Sequence, residues 1–384
     1  MIAVFADDFT GAAEIAGLAL HFRLTVEICA TVNEKSTADL LIISADTRSM
    51  DEATAVSVTE NIFKSLLKMK PDFIYKKNDS VLRGHILPEI EMQMKLMNAD
   101  TVLIVPANPS LGRTIKDGNY FLNDTPIHLT SFSKDPEFAI SSSDVKEMIK
   151  SNGTVSVCKR SSQLPNKGIF IAEVENKNDL DHWASLIKEN ILPVGGGDFF
   201  SALLAAKNIP FRDEIEEAPE FQLPMLFVCG STFSKAVASI HSIKKNGGPV
   251  SYLPAEFLTA MPVNDLLMRN WASETTGILI LHGRAIIAID PETVATGTTA
   301  LLLRQKMALA VEMLFAKAAV RELFIEGGST AAAVIDRLGY NIFIPVTELK
   351  RGVVRIKVKQ NEGLHITVKP GSYDWPNGIW DFEN

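Results

Sequence analysis

The sequence predicts two α/β domains, each built on a mostly parallel sheet flanked by helices, with an active site in the cleft between them. Three observations predict this. Apolar strand-like runs alternate with segments of helical spacing through the first half of the chain. The composition then changes at 211–224, where FRDEIEEAPEFQLP is acidic, holds two prolines and lacks a core-facing stripe. A second alternation of the same kind opens directly after it.

Each element follows from its residues. IAVFA, LTVEICATV, LLIISA, FIYKK and TVLIVPA read as strands, because they are short apolar runs bounded by polar turns. EIAGLALHF, DEATAVSVTENIFKSLLK and ILPEIEMQMKLM read as the helices between them. Over 130–200 the pattern blurs, with TVSVCK and GIFIAEV still strand-like. In the second half, strands MLFVCG, PVSYLP, GILILHG and ELFIEGG alternate with helices SKAVASIHSIKK, NDLLMRNWASE, TALLLRQKMALAVEMLFAKAAV and STAAAVIDRLG. The tail, VVRIKVKQNEGLHITVKPGSY, reads as strands. The expected division is a first domain at 1–212, a linker at 213–223 and a second domain at 224–384.

Composition narrows the function. The 384 residues are 46% apolar and 22% charged, an ordinary globular balance. A net charge of −8 argues against a nucleic-acid surface, though not against a local site for a small anion. Cys29, Cys158 and Cys229 lie far apart and form no CxxC, so they read as thiols in a reducing compartment. No HxxxH pair occurs, and no structural metal is expected. The start lacks a basic region followed by a long apolar core, and no run reaches the length of a membrane span. A cytoplasmic protein without membrane partners is the expectation.

Chemistry-bearing residues gather where predicted strands end. The first strand runs into Asp7 and Asp8, followed by Thr10, Gly11 and a helix. One reading is that Asp8 or Thr10 merely caps that helix. Two carboxylates at the carboxyl end of a first strand, where open α/β sheets bind ligands, favour a site. The strand FIYKK ends in Lys76 and Lys77 and leads into Asp79, Ser80, Arg83 and Gly84. An arginine beside a glycine suits bidentate capture of a carboxylate or phosphate, although a lone arginine more often pairs with a neighbouring acid. VPANPSLGRTIKDG adds Arg113 in a loop stiffened by two prolines, and LIISADTRS adds Asp46 and Arg48 to the same rim. In the second half, Gly327, Gly328, Ser329 and Thr330 join a strand to a helix and expose backbone N–H groups to a phosphate. This is not a Walker A sequence, and a glycine pair there is also an ordinary tight turn. FVCGSTFSKA repeats the strand, Gly-Ser-Thr, helix order, and VKPGSYDW offers Lys369 beside a glycine loop.

As a set these segments resemble the four-carbon acid sugar kinase family, the YgbK-like proteins. ADDFTGAAE, YKKNDSVLRG, VPANPSLGRTIKDG, the Gly-Ser-Thr turn at 230–232, EGGSTAAAVIDRLG and KPGSY follow the family's order over nearly the whole chain. The first two elements are the specific ones. The resemblance implies a first domain that binds the sugar acid and a second that binds ATP with magnesium. Members phosphorylate threonate, erythronate or 3-oxo-tetronate at the terminal hydroxyl. By position, Asp8 and Asp7 fall at the catalytic site. Arg83, with Asp79 and Ser80, falls at the acid-sugar site, as do Thr10 and Gly11 beside Asp8, and their places at strand ends add Asp46, Lys77 and Arg113 to it. Ser231, Gly327, Gly328 and Gly371 fall at the nucleotide-contacting positions, and their places in the turn and tail add Ser329, Thr330 and Lys369. Ser329 stands where the family often has an acid, and the tail loop departs from the family's glycine-rich turn.

The expected reaction is phosphorylation of a small sugar acid by ATP. Arg83 holds the substrate carboxylate, and Asp8 accepts the proton of the attacking hydroxyl, with Asp7 the next candidate. No metal site beyond the magnesium carried with ATP is expected. The partners expected are the sugar acid and ATP, with no nucleic acid; the sequence leaves the oligomeric state open, with a homodimer as the working expectation. The main rival is a sensor that binds the same ligands without chemistry. A Rossmann oxidoreductase lacks its GxGxxG, and a Schiff-base lyase using Lys76 or Lys77 is set against the commoner reading of adjacent lysines at a strand end as an exposed pair.

Overall fold

The computed structural model describes residues 1–384 except 136–137, 214–218, 231–233, 260–264, 296–297, 372 and 383–384. The chain divides into two compact units, Met1–Ile215 and Glu216–Asn384.

The first unit begins with β1 (Ile2–Ala6), α1 (Phe9–Leu20), β2 (Val26–Cys29), β3 (Leu40–Ser44), α2 (Glu52–Lys68), β4 (Phe73–Lys77), α3 (Ile86–Met97) and β5 (Thr101–Val105). An excursion follows, with the antiparallel strands β6 (Arg113–Lys116), β7 (Asn119–Leu122) and β8 (Thr125–Pro126) and the short helix α4 (Val145–Met148). It returns through β9 (Val155–Cys158), β10 (Gly168–Ala172), α5 (Lys177–Ser185), β11 (Ile191–Gly195) and α6 (Gly197–Ala206).

The main sheet has the order β2-β3-β1-β4-β11-β5-β10-β9, and its pairs run parallel. Helices cover the faces of such a sheet, so β1, β3 and β5 are buried along their whole length and read as unbroken apolar runs. Helix α1 is buried almost all round, which explains its Ala-, Gly- and Leu-rich sequence. Helix α2 is half-exposed, capped by Asp51, and buries Ala55, Thr59, Phe63 and Leu66 at helical spacing. From β1 the chain passes through α1 to the outer strand β2, returns to β3 between the two, then crosses through α2 to β4 on the other flank of β1. The winding therefore changes direction at β1 and β4.

The second unit holds β12 (Met225–Cys229), α7 (Ser234–Lys245), β13 (Val250–Tyr252), α8 (Asp265–His282), β14 (Arg284–Ala288), α9 (Ala300–Phe315), β15 (Glu322–Glu326), α10 (Gly328–Arg337), β16 (Ile342–Lys350), β17 (Val353–Val358) and β18 (Asn361–Lys369). Its strand order is β13-β14-β12-β15-β18-β17-β16. The first five are parallel, and β18, β17 and β16 form an antiparallel meander. Both sheets are mostly parallel, as expected. Trp375, Trp380 and Phe382 of the tail close the core over Phe227 and Phe324, where the two phenylalanine rings stack at 4.4 Å.

Two sequence expectations change. GILILHG is the end of α8, not a strand, and the strand is the next run, RAIIA. Met268, Trp271, Ala272, Thr275 and Leu279 form the buried stripe of that helix, a helical spacing that its Ile/Leu run conceals. The span at 105–118 is not one loop, since it holds β6. Residues on either side of the unit boundary make contacts within their own units. Phe211 stacks on His21 at 5.2 Å, and the Arg212 N–H donates to the His21 carbonyl. In the second unit Arg355 donates to the carbonyls of Pro219 and Glu220 and to the Glu322 carboxylate. Residues 214–218 lie outside the described residues.

Candidate active site

A cluster of charged residues stands at and just after the carboxyl ends of β1, β3 and β4. At the end of β1, Asp8 is the N-cap of α1. Its Oδ1 accepts the Gly11 N–H at 2.7 Å, and its Oδ2 accepts Thr10 Oγ1 at 2.7 Å. A Cβ on Gly11 would stand 2.7 Å from Asp8 Oδ1 and 3.1 Å from Lys77 Nζ, so this position has no room for a side chain. The Asp-Asp-x-Thr-Gly string is thus a cap and a close packing site together.

Arg48 reaches this cap from the turn after β3. Its Nε donates to Asp7 Oδ2 at 2.9 Å and its Nη1 to Asp8 Oδ2 at 2.8 Å, with Asp79 Oδ1 3.8 Å away. Asp46, two residues earlier, takes a left-handed φ of 49° that Asp tolerates better than most residues. Burial alone would lower the Arg48 pKa, but the carboxylates of Asp7, Asp8 and Asp79 hold it well above the ordinary arginine value. Lys77, at the end of β4, donates to the Asn78 carbonyl and lies 3.3 Å from Glu14 of α1. Burial pulls its pKa down, and the Glu14, Asp7 and Asp8 charges outweigh it and raise it.

The loop after β4 is strained. Leu82 has φ 62° and Gly84 has φ 93°, and a bulky residue with positive φ is a backbone outlier of the kind that gathers at functional sites. The loop presents Asp79 and Arg83 to each other. Arg83 donates from Nε and Nη2 to the two Asp79 oxygens at 2.6 and 2.9 Å, and from Nη1 to Asp135 at 2.8 Å. Burial pushes the Asp79 carboxyl up, yet Arg83 and Arg48 hold it far below the usual carboxylate range. Arg113, at the start of β6, donates to Ser80 Oγ at 2.5 Å. The Phe132 ring lies under both guanidinium groups, 5.6 Å from Arg83 and 5.5 Å from Arg113.

The structure therefore brings Asp7, Asp8, Thr10, Gly11, Lys77, Asp79, Ser80, Arg83 and Arg113 into one network, with Asp46 beside it at the end of β3. Arg48, read from the sequence only as a rim residue, is its hub. Sequence reasoning missed Glu14, Asn78, Phe132 and Asp135. A lone acid inside an otherwise apolar helix was an available signal for Glu14. Phe132 and Asp135 come from the stretch where periodicity blurs.

In the second unit, β15 ends at Glu326 and Gly327 turns into α10 with φ 97°. A Cβ on Gly327 would sit 3.7 Å from Thr330 Oγ1, and one on Gly230 at the end of β12 would meet the same atom at 2.3 Å. Gly328, Ser329 and Thr330 form the first turn of α10. Lys369, at the end of β18, is buried; it pairs with Glu326 at 2.9 Å and stands 5.1 Å from the Trp375 ring centre. Gly371 follows in a turn in which the Tyr373 N–H donates to the Pro370 carbonyl. Ser231 lies outside the described residues. Among the described residues no group of three or more His, Cys, Asp or Glu side chains is placed to hold a metal ion, and no helix is long and apolar enough to cross a membrane.

A doubly wound sheet with a buried acid–arginine network at its change of winding defines an α/β protein, and the network is its candidate site. The chain belongs to the family described as the sugar-binding N-terminal domain, matched over residues 2–203, in agreement with the resemblance of its motifs. It is 23% identical over 400 residues to the D-threonate kinase of Bordetella bronchiseptica, covering 97% of this chain and 94% of that protein. It is 28% identical over 174 residues to the D-threonate kinase of Salmonella typhimurium, an alignment that spans 44% of this chain and 39% of that protein. Relatives from Heliobacterium modesticaldum and Cupriavidus necator carry the names D-erythronate kinase and 3-oxo-tetronate kinase. A crystal structure of a DUF1537 protein from Haemophilus influenzae shares the fold, with a TM-score of 0.67 at 18% identity and 97% of each chain covered.

Proposed function

We propose that this protein is an ATP-dependent kinase that phosphorylates the terminal hydroxyl of a four-carbon sugar acid. The observation that carries the reading is the buried network at the ends of β1 and β4. It lies inside the residues matched by the sugar-binding family, and relatives named as kinases align with nearly the full chain.

In this reading the acid sugar binds the first unit. Its carboxylate takes the place of Asp135 on Arg83 Nη1, beside Ser80 and Arg113. The attacking oxygen forms a bond to the γ-phosphorus of ATP while the bond to the bridging oxygen breaks. ADP leaves, and the hydroxyl proton passes to a carboxylate at the end of β1. Lys77 and Arg48 neutralise charge beside it. Phosphoryl transfer asks little more of a protein than positioning and charge neutralisation.

ATP binds the second unit. The Gly327 conformation and the bare edge beside Thr330 fit a phosphate, with N–H groups of Gly328, Ser329 and Thr330 facing it and Gly371 beside them. Lys369 stays with Glu326 and sets the charge beneath the turn. Magnesium bound with ATP supplies neutralisation of the phosphate oxygens.

The test is ADP release by the purified protein with D-threonate, D-erythronate and 3-oxo-tetronate. Release that depends on one of these acids is expected. Binding of acid and ATP without release would replace the kinase with the non-catalytic sensor.

A further inference from the structure

Two buried acceptors at the change of winding have no donor. Asp7 Oδ2 takes the Arg48 Nε hydrogen, while Asp7 Oδ1 is buried with no partner. Asn78 Oδ1 is buried with no partner as well. Its amide orientation is fixed, because Nδ2 donates to the Asp79 carbonyl at 3.1 Å. Turning it would set oxygen against oxygen. The two residues are neighbours. The β1–β4 register ends at Ala6 with Lys77, and Asp7 and Asn78 are the next residue on each strand. Asp8 contrasts with both, since the Gly11 N–H, Thr10 Oγ1 and Arg48 Nη1 already fill its oxygens.

Buried acceptors left unpaired are costly. Here Asp7 stands one hydrogen bond from Arg48, whose side chain keeps 11% of its surface open to solvent, and Asn78 is the residue beside it in the β1–β4 register. We propose that Asp7 Oδ1 and Asn78 Oδ1 receive two adjacent hydroxyls of the substrate, the terminal one at Asp7 and its neighbour at Asn78. The site therefore selects a 3,4-dihydroxy acid over its 3-oxo counterpart. This rests on the kinase reading above and adds to it the proton acceptor and the substrate class. A hydroxyl donates to Asn78 Oδ1, whereas a ketone oxygen brings only lone pairs and meets it acceptor to acceptor. On transfer, the terminal oxygen bonds to the γ-phosphorus, the bridging bond breaks, and the proton moves to Asp7 Oδ1. Arg48 on Oδ2 fixes the carboxylate meanwhile.

The experiment compares kcat/KM of the full-length protein on D-threonate, D-erythronate and 3-oxo-tetronate, with Asp7→Asn, Asp8→Asn and Asn78→Ala beside it. Wild type is expected to favour the better 3-hydroxy acid by about one to two decades, the scale of one buried acceptor left unpaired. Asn78→Ala should erase that ratio by lowering the hydroxy acid alone; a purely structural defect would lower both substrates. Asp7→Asn should lose about 10²–10⁴-fold in kcat, more than Asp8→Asn, while D-threonate still raises its melting temperature. Formate should restore part of the turnover of Asp7→Ala. Equal or reversed preference in wild type overturns the selectivity, even if Asn78→Ala fails to fold. Asp7→Asn turnover within threefold of wild type overturns the proton acceptor. No turnover by wild type on any of the three acids overturns the kinase reading, and this assignment with it.

Discussion

Arg48 donates from Nε to Asp7 and from Nη1 to Asp8 and lies 3.8 Å from Asp79, so one guanidinium balances three buried carboxylates. Lysine offers one point charge in place of the planar fork. Arg48→Ala should cost about 3–5 kcal/mol of stability, the scale for breaking a buried ion pair from one side. Arg48→Lys should recover part of the stability and little of the turnover, as read by urea melts and ADP release. Gly84 serves the same contact, because a Cβ there would stand 3.1 Å from Arg48 Cγ and its φ is 93°. Gly84→Ala should then destabilise by about 1–3 kcal/mol through backbone strain. A melt unchanged by Gly84→Ala would remove the packing role. At this scale the sequence was readable wherever polar residues end an apolar run, as with Asp7, Asp8, Thr10 and Gly11. Arg48, some forty residues away from the cap it holds, showed only as a rim residue. Nothing local marks Asp135 as the acid opposite Arg83, since that pairing is set by the excursion after β5.

Strands and helices were legible for the same physical reason they form. Parallel strands covered on both faces become continuous apolar runs, and β1, β3, β4 and β5 could be read from them. Strand β11 escaped because Pro193 argues against a central strand. It is accommodated because β11 pairs with β4 only at Val194 and Gly195, beyond the missing N–H. The antiparallel end of the second sheet makes a testable element of its own. His365 of β18 faces Lys357 of β17, near Arg355, with Glu322 Oε1 3.8 Å from its ring. Burial, then the Arg355 and Lys357 charges, lowers its pKa from 6.5 to about 4. The folded state therefore keeps the ring neutral where the unfolded chain takes up a proton. Stability present above pH 6.5 should fall as pH drops toward about 4. Because the ring retains contact with water, the loss is on the order of 1 kcal/mol. His365→Gln should flatten that part of the stability–pH curve; an identical slope in the variant would exclude His365 as its source.

The two units differ in the chemistry of their candidate sites. The first unit offers acceptors and arginines on buried side chains, suited to a hydroxylated acid. The second offers backbone N–H groups at a glycine turn, suited to a phosphate. If the division of labour is that of the proposed kinase, single substitutions should separate the two bindings in the intact chain. A ligand at a hundredfold its Kd stabilises the native state by about 2.7 kcal/mol. For a chain of 384 residues that unfolds as one, that is roughly 3 °C in melting temperature. Arg83→Ala removes a charged donor and leaves Asp79 and Asp135 facing each other. It should abolish most of the D-threonate shift and leave the shift by ATP with magnesium. Gly327→Ala forces a side chain onto a φ of 97° and fills the edge beside Thr330. It should do the reverse, losing the nucleotide shift and keeping that of the acid. Each variant is its own control for folding, because the retained shift reports an intact native state. Loss of both shifts in either variant would place the two ligands on shared residues and end the assignment of one ligand to each unit.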